Sequence, residues 1–350
     1  MSKSRAAASE AEEADRIEGQ AHPRETYDVI GQDEALARAA RALRSGRPPQ
    51  AWLIAGPPGI GKATLAYRIA RYLLRHGATA EGPADLGVAP NDVVSRQIEA
   101  QAHPGLLVLK RLVNQKTGRL KTVLEIDEIR RLASFFGMTA EAGGWRVAIV
   151  DSADEMNDNS ANALLKALEE PPPRAILLLI SHAPGKLLPT IRSRCQRLDL
   201  KPLDEPHLAA ALARLLPDAK TDDRAALAHL SEGSLGLALR LAGEEGLALA
   251  REAESLLGGE RPDVAKIFAL GDRVARAQDG LAHFGRFLAQ GLSRQIRARA
   301  MQGQGDARAV EAWEQINALY ARATGLHMEP RQTVLSSAQA VASAKRRGSF

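Results

Sequence analysis

Apolar residues follow two rhythms along this chain, and the change between them marks out its elements. In the first two hundred residues, short unbroken apolar runs alternate with stretches in which apolar positions recur three and four residues apart. A run of five to seven apolar, often β-branched residues bounded by Gly or Pro reads as a strand buried on both faces, and the longer spacing reads as an amphipathic helix. YDVIGQDEALARAARALRSG (27–46) opens with a turn and continues as a helix, and AWLIAG (51–56) is a strand ending at glycine. LAYRIARYLLRHG (65–77) is a helix closed by Gly77, GLLVLKRL (105–112) a strand, NQKTGR a turn and IDEIRRLASFFG (126–137) a helix. WRVAIVD (145–151) and AILLLIS (175–181) are strands on either side of SANALLKALEEPPP (160–173), a helix stopped by three prolines. CQRLDL (195–200) alternates as a last strand.

Strands interleaved with helices predict an α/β fold with a parallel sheet covered on both faces. Residues 78–103, rich in Ala, Gly, Pro and Asp, read as a loosely structured insertion. Past KPLDEP (201–206) no β-branched run returns and Ala/Leu-rich helical periodicity continues to the end. The expected organisation is a solvated tail over 1–24, an α/β domain over 25–200, a small helical lid over 201–244 and a helical collar over 245–350.

Composition narrows the function classes. Lys and Arg number 47 against 42 for Asp and Glu, a net charge of +5 that permits an anionic partner without demanding one. Cys195 is the only cysteine, so neither an internal disulfide framework nor a thiolate zinc cluster is expected, which fits a reducing cytoplasm. No apolar run approaches the roughly 18 residues of a membrane span, and the first twenty residues lack the apolar core of a secretory signal.

The chemistry concentrates in GPPGIGKAT (56–64). Gly56, Pro57, Pro58, Gly59, Ile60, Gly61 and Lys62 follow a strand and open a helix. Backbone N–H groups in that context form a concave nest for phosphates, and the helix N-terminus adds positive potential. Lys62 would reach the β- and γ-phosphates, whereas a tight glycine-rich turn is the plainer structural account. Ala63 stands where a hydroxyl would bind magnesium, and Thr64 points elsewhere on the helix. Nucleotide binding is thus better supported than catalysis, and the residues leave ATP, ADP and the presence of magnesium open.

In VAIVDSAD, Asp151 ends a strand where an acidic group can hold magnesium through water, or can simply cap the turn. Ser152 follows it and has neither the charge nor the basicity to activate a water. Asp154, two residues further along the turn, is expected to point away. Ser181 and His182 end the next strand, where they can sense a phosphate or tie the strand end down. His103 reads as a loop histidine.

GQDEALARAARALRSGRPPQAWLIAGPPGIGK, SANALLKALEEPP and TIRSRCQRLDL, in this order and spacing over most of residues 25–240, resemble the clamp-loader branch of the AAA+ ATPases. The resemblance implies an ATPase-like core of five parallel strands, a helical lid and a collar that assembles a five-subunit ring. Motor subunits of that branch keep a Thr after the loop lysine, an Asp-Glu pair, a cysteine zinc module and an arginine in the lid motif GSLRDAL. Here Ala63, Ser152, the absence of cysteine over 78–103, and Gly236 in GSLGLAL replace them. These losses are similar to those of the delta-prime family of bacterial DNA polymerase III, usually a stator that keeps the fold without hydrolysing.

The resemblance further implies that Arg194 of SRC is an arginine finger reaching a neighbour's nucleotide. Such a fixed guanidinium is worth about 10³–10⁵ in rate. An isolated RSR would instead be ordinary basic surface. The implied partners are motor-type (gamma/tau) and delta clamp-loader subunits, with the sliding clamp and primed DNA reached through the complex. In such a complex ATP binding by the motors opens the clamp and hydrolysis closes it around DNA. Two other classes compete on the residues: a motor-type ATPase in its own right, disfavoured by Ser152, and a sequence-specific DNA-binding protein, for which neither a recognition-helix signature nor a dense basic stripe is present. The basic end SAKRRGSF reads as a solvated tail.

Overall fold

The computed structural model describes residues 20–113, 121–137, 144–258, 264–277, 280–305, 307–326 and 328–346. The expected NQKTGR turn, nearly all of the expected solvated tail and the last residues of SAKRRGSF lie outside them.

Five strands form one parallel sheet in the order β2-β3-β4-β1-β5: β1 (Ala51–Ala55), β2 (Leu106–Leu109), β3 (Arg146–Val150), β4 (Ala175–Ser181) and β5 (Gln196–Asp199). Side chains alternate across a strand, so each apolar run feeds two cores. Trp52 and Ile54, with Val147, Ile149, Ile176, Leu178 and Leu198, enter one core with α1 (Asp33–Arg44) and α2 (Lys62–His76). Leu53, Ala55, Ala148, Val150, Leu177 and Leu179 enter the other with α4 (Ile126–Gly137) and α5 (Asp158–Glu169). This double burial is why β1 and β4 are buried along their whole length.

Element ends follow local chemistry. The strand expected over 105–112 stops at Leu109, where Lys110 and Arg111 follow and cannot enter a core. The helix expected from 160 starts at Asp158 because Asn157 caps it, accepting from the Ser160 N–H at 2.9 Å. Gly77, at φ 71°, ends α2 and donates to the Leu73 carbonyl at 2.9 Å.

The segment 78–103 departs from the expectation of looseness. It contains α3 (Val93–Glu99), capped by Asp92 through the Val94 N–H at 2.9 Å and anchored by Ile98 and Ser95, both fully buried. Three residues on one face of α2 hold the rest. Arg68 binds the carbonyl and carboxylate of Asp85, the Tyr72 hydroxyl donates to the Thr79 carbonyl at 2.8 Å, and Arg75 pairs with Asp92 at 2.8 Å. Leu86 and Ile98 enter the core, and these two isolated apolar anchors are too few for periodicity to reveal the packing.

The chain packs as two units, Met1–Leu215 with Glu232–Leu237, and Leu216–Ser231 with Ala238–Phe350. The composition changes near 201 and 245 are therefore not the borders of these packing units. The first holds the sheet, α6 (Pro189–Arg192) and α7 (Glu205–Leu215). In the second, the regular elements among the described residues are helices: α8 (Thr221–Leu230), the end of α9 (Leu235–Leu241), α10 (Glu244–Gly258), α11 (Val264–Arg276), α12 (Gly280–Met301), α13 (Ala307–Leu326) and α14 (Pro330–Arg346). Glycines set its closest approaches. A Cβ at Gly285 would lie 2.3 Å from the Tyr320 ring, and one at Gly291 2.2 Å from Leu257. No described helix is long and apolar enough to cross a membrane.

Candidate functional site

The loop between β1 and α2 has the turn that its glycines foreshadow. Gly56, Gly59 and Gly61 have φ of 151°, 77° and 97°, a region that L side chains rarely adopt. Gly56 donates to the Ser181 carbonyl at 3.3 Å, and a Cβ there would lie 2.7 Å from the Leu200 carbonyl. A Cβ on Gly61 would meet nothing within 4 Å, so this side of the loop is open.

Lys62 begins α2 and is 3% exposed. Its Nζ donates to the Gly56 and Pro57 carbonyls at 2.7 and 2.6 Å. Burial lowers its pKa from the ordinary 10.5 to about 8, and the charges of Asp151 and Asp154 partly offset the fall. Lys62 is thus a largely charged, pre-placed donor at neutral pH. A polyphosphate, with oxygens suited to backbone N–H groups and an ammonium, fits this donor set. Magnesium fits poorly. Ala63 is partly buried and packs against the core as a methyl group, and Thr64 carries the only hydroxyl of that turn of the helix. Among the described residues, no group of three His, Cys, Asp or Glu converges on a metal position.

At the end of β3, the Asp151 N–H donates to the Leu109 carbonyl at 2.8 Å, and the charge of Asp151 acts on Lys62. Ser152 turns left-handed, at φ 58° and ψ 59°, and its Oγ lies 3.3 Å from His182 Nε2. Asp154 does not point away as expected. Its Oδ1 accepts the His182 backbone N–H at 2.8 Å, and its charge reaches Lys62. The left-handed turn at Ser152 brings Asp154 back toward β4, a reversal that no sequence rule for Ser signals. Ser181 is fully buried, and His182 with Asp154 and Ser152 links the ends of β3 and β4. His103 is a structural turn residue: its Nδ1 accepts from Gly105 N–H at 3.0 Å, and burial lowers its pKa.

A second layer over the loop was missed in the sequence. The Ser234 hydroxyl donates to the Pro58 carbonyl at 2.9 Å and accepts from Leu237 N–H at 3.2 Å, capping α9. Gly236 donates its N–H to the Gly59 carbonyl at 2.8 Å. The available signal was the Ser before the apolar run LGLAL, an N-cap pattern.

Arg194 follows α6, with its backbone N–H on the Ile191 carbonyl at 3.1 Å. Its guanidinium donates to the Thr190 carbonyl at 3.1 Å and pairs with Glu169 at 3.0 Å, and the side chain is 38% exposed. Nearby Arg197 pairs with Asp199 at 2.6 Å. Cys195 is half-buried against the second core, and desolvation pushes its thiol up to about 12, away from the thiolate form.

Residues 31–204 match the family described as "DNA polymerase III, delta subunit". The chain is similar to DNA polymerase III subunit delta' of Pseudomonas aeruginosa, with 41% identity over 55% of this chain and 56% of that protein. It is also similar to subunit tau of Escherichia coli, 33% identical over 63% of this chain and 32% of the relative. The match thus spans little more than half of the first relative and about a third of the second. Among solved structures, a DNA polymerase III gamma subunit-related protein of Thermotoga maritima aligns over 90% of this chain and all of that one, at 20% identity and a TM-score of 0.44.

Proposed function

We propose, from the premise that the chain belongs through residues 31–204 to the DNA polymerase III delta-subunit family, that it serves as a non-hydrolysing subunit of that polymerase's sliding-clamp loader. In this reading it donates Arg194 in trans to an ATP-bound motor subunit of the gamma/tau type. With a delta subunit it helps to build the ring that loads the clamp onto primed DNA. The lid and collar are its assembly parts.

The observation that carries the reading is the setting of Arg194. Its guanidinium is anchored by Thr190 and Glu169 and is more than a third exposed, so it can meet a phosphate supplied from outside the chain. A guanidinium fixed before the reaction stabilises charge that develops on the transferring phosphoryl group, without reorganising at that moment. The chain's own loop argues against turnover. Ser152 offers a hydroxyl, engaged with His182, where a water-activating carboxylate would be required, and Ala63 offers no oxygen to a metal. Lys62 and the three glycines keep the donor set for a nucleotide, so ATP or ADP binding without efficient magnesium binding belongs to the same proposal.

The test is the clamp- and DNA-stimulated ATPase of a reconstituted loader containing either this chain or its Arg194→Ala variant, after equal assembly has been shown. A rate loss of about 10³-fold or more is expected. An unchanged rate would reduce Arg194 to surface charge. Robust turnover by the purified chain alone, removed by Lys62→Ala, would make it a motor instead.

A further inference from the structure

The LEEPP run has no role in the reading so far, yet its first glutamate is the ionic partner of Arg194. Glu169 is the last residue of α5, and Pro171, Pro172 and Pro173 prevent the helix from continuing. A carboxylate at a helix C-terminus faces the negative end of the helix dipole, an unfavourable place unless a cation neutralises it. Arg194 does so, with one guanidinium nitrogen on Glu169 Oε1 at 3.0 Å and another on the Thr190 carbonyl at 3.1 Å.

Two anchors on different nitrogens fix the plane of a guanidinium, whereas one leaves it free to swing. Both partners are also held by the same core. Leu168, next to Glu169, and Ile191, whose carbonyl holds the Arg194 backbone, are buried in one cluster, with Cys195 packed on it. The backbone positions are thus fixed, and only the side-chain orientation depends on the pair.

We propose that Glu169 is the positioning residue for Arg194, setting the orientation in which the guanidinium is presented to a nucleotide phosphate on an adjacent subunit. This rests on the reading of Arg194 given above. The pair is exposed, 38% on the arginine side and 50% on the glutamate side, so it adds little to stability and its loss leaves the fold intact. What it supplies is geometry, to which phosphoryl transfer is sensitive.

The experiment compares reconstituted loaders carrying wild type, Glu169→Gln, Arg194→Ala and the double variant, each first shown to assemble equally by gel filtration. Clamp- and DNA-stimulated ATPase is measured over a range of ATP concentrations. Glu169→Gln is expected to lower kcat by up to about fivefold, the population shift that loss of an exposed ion pair can produce, with KM for ATP little changed. In the Arg194→Ala background it should do nothing further, because Glu169 acts only through Arg194. Glu169→Asp should recover part of the loss. If Arg194→Ala lowers the rate and Glu169→Gln does not, the positioning role is wrong and the arginine reading survives. A further loss in the double variant would give Glu169 an independent role and overturn the proposal, as would a faster Glu169→Gln loader, in which the glutamate withholds the arginine. If Arg194→Ala changes nothing, the underlying reading falls first.

Discussion

The backbone N–H of Gly236 donates to the carbonyl of Gly59 at 2.8 Å, so the start of α9 lies directly on the glycine-rich loop. The approach requires both glycines. A Cβ on Gly236 would lie 2.8 Å from Gly59 Cα, and one on Gly59 would lie 2.5 Å from Ser234 Oγ.

Gly236→Ala therefore sets two effects of opposite sign against each other. In an open helix, alanine is worth up to about 1 kcal/mol over glycine. Against backbone atoms that cannot yield, the added methyl should instead cost about 1–3 kcal/mol. A lower melting temperature than wild type is the expected result. A higher one would mean that α9 and the loop are not in contact.

How much of this was readable in advance depended on what fixes each part. The strands and their order of appearance were legible because double burial leaves unbroken apolar runs such as AILLLIS, and the loop because only glycine serves at Gly59 and Gly61. Contacts made by polar atoms across long sequence distances were not. Neither the reach of Ser234 to Pro58, 176 residues away, nor that of Glu169 to Arg194 leaves a periodic trace. The orientation of Asp154 is not legible either, because Ser152 takes a left-handed turn that its residue type does not announce. The tether of 78–103 was hidden for a further reason: its anchors, Arg68, Tyr72 and Arg75, belong to another element.

Lys62 carries a pH signature with a definite sign. Its pKa is lowered on folding from 10.5 to about 8, so between those values the unfolded chain binds more protons than the folded one, and stability rises with pH. Below about pH 8 the penalty for burying the charge is fully present, at most about 3 kcal/mol. Melting temperatures of wild type and Lys62→Met, compared from pH 7 to 10, should show wild type gaining on the variant as pH rises. A constant difference would place the ammonium in a solvated setting.

Nucleotide affinity should depend on Lys62 and hardly on magnesium. The loop's N–H groups and the ammonium are present, while Ala63 and Ser152 bring no metal-binding carboxylate or properly placed hydroxyl. A fluorescent ATP analogue is expected to bind wild type, to lose binding in Lys62→Ala, and to bind equally with magnesium or with a chelator. Equal binding to both proteins would show the loop to be vestigial, and a large loss on chelation would show that an unforeseen oxygen ligand completes a metal site.

The segment 78–103 should prove independent of metal and dependent on a packing contact. Gly82 lies against the hydroxyl end of Tyr72, where a Cβ would come 2.5 Å from the ring Cε2 and from the Oη, and that hydroxyl holds the Thr79 carbonyl at 2.8 Å. Tyr72 is itself fully buried, so its ring has little room to retreat. Gly82→Ala should thus push the segment off α2, lowering the melting temperature and raising protease cleavage within 78–92. Arg75→Ala, which removes an ion pair with an arginine side chain 51% exposed, should change stability by less than about 1 kcal/mol. A chelator should leave the melting temperature and the cleavage pattern of wild type unchanged. If the chelator loosens the segment, metal rather than Tyr72 and the two arginines holds it. If Gly82→Ala is silent while Arg75→Ala is severe, the ion pairs dominate and the packing account of this segment fails.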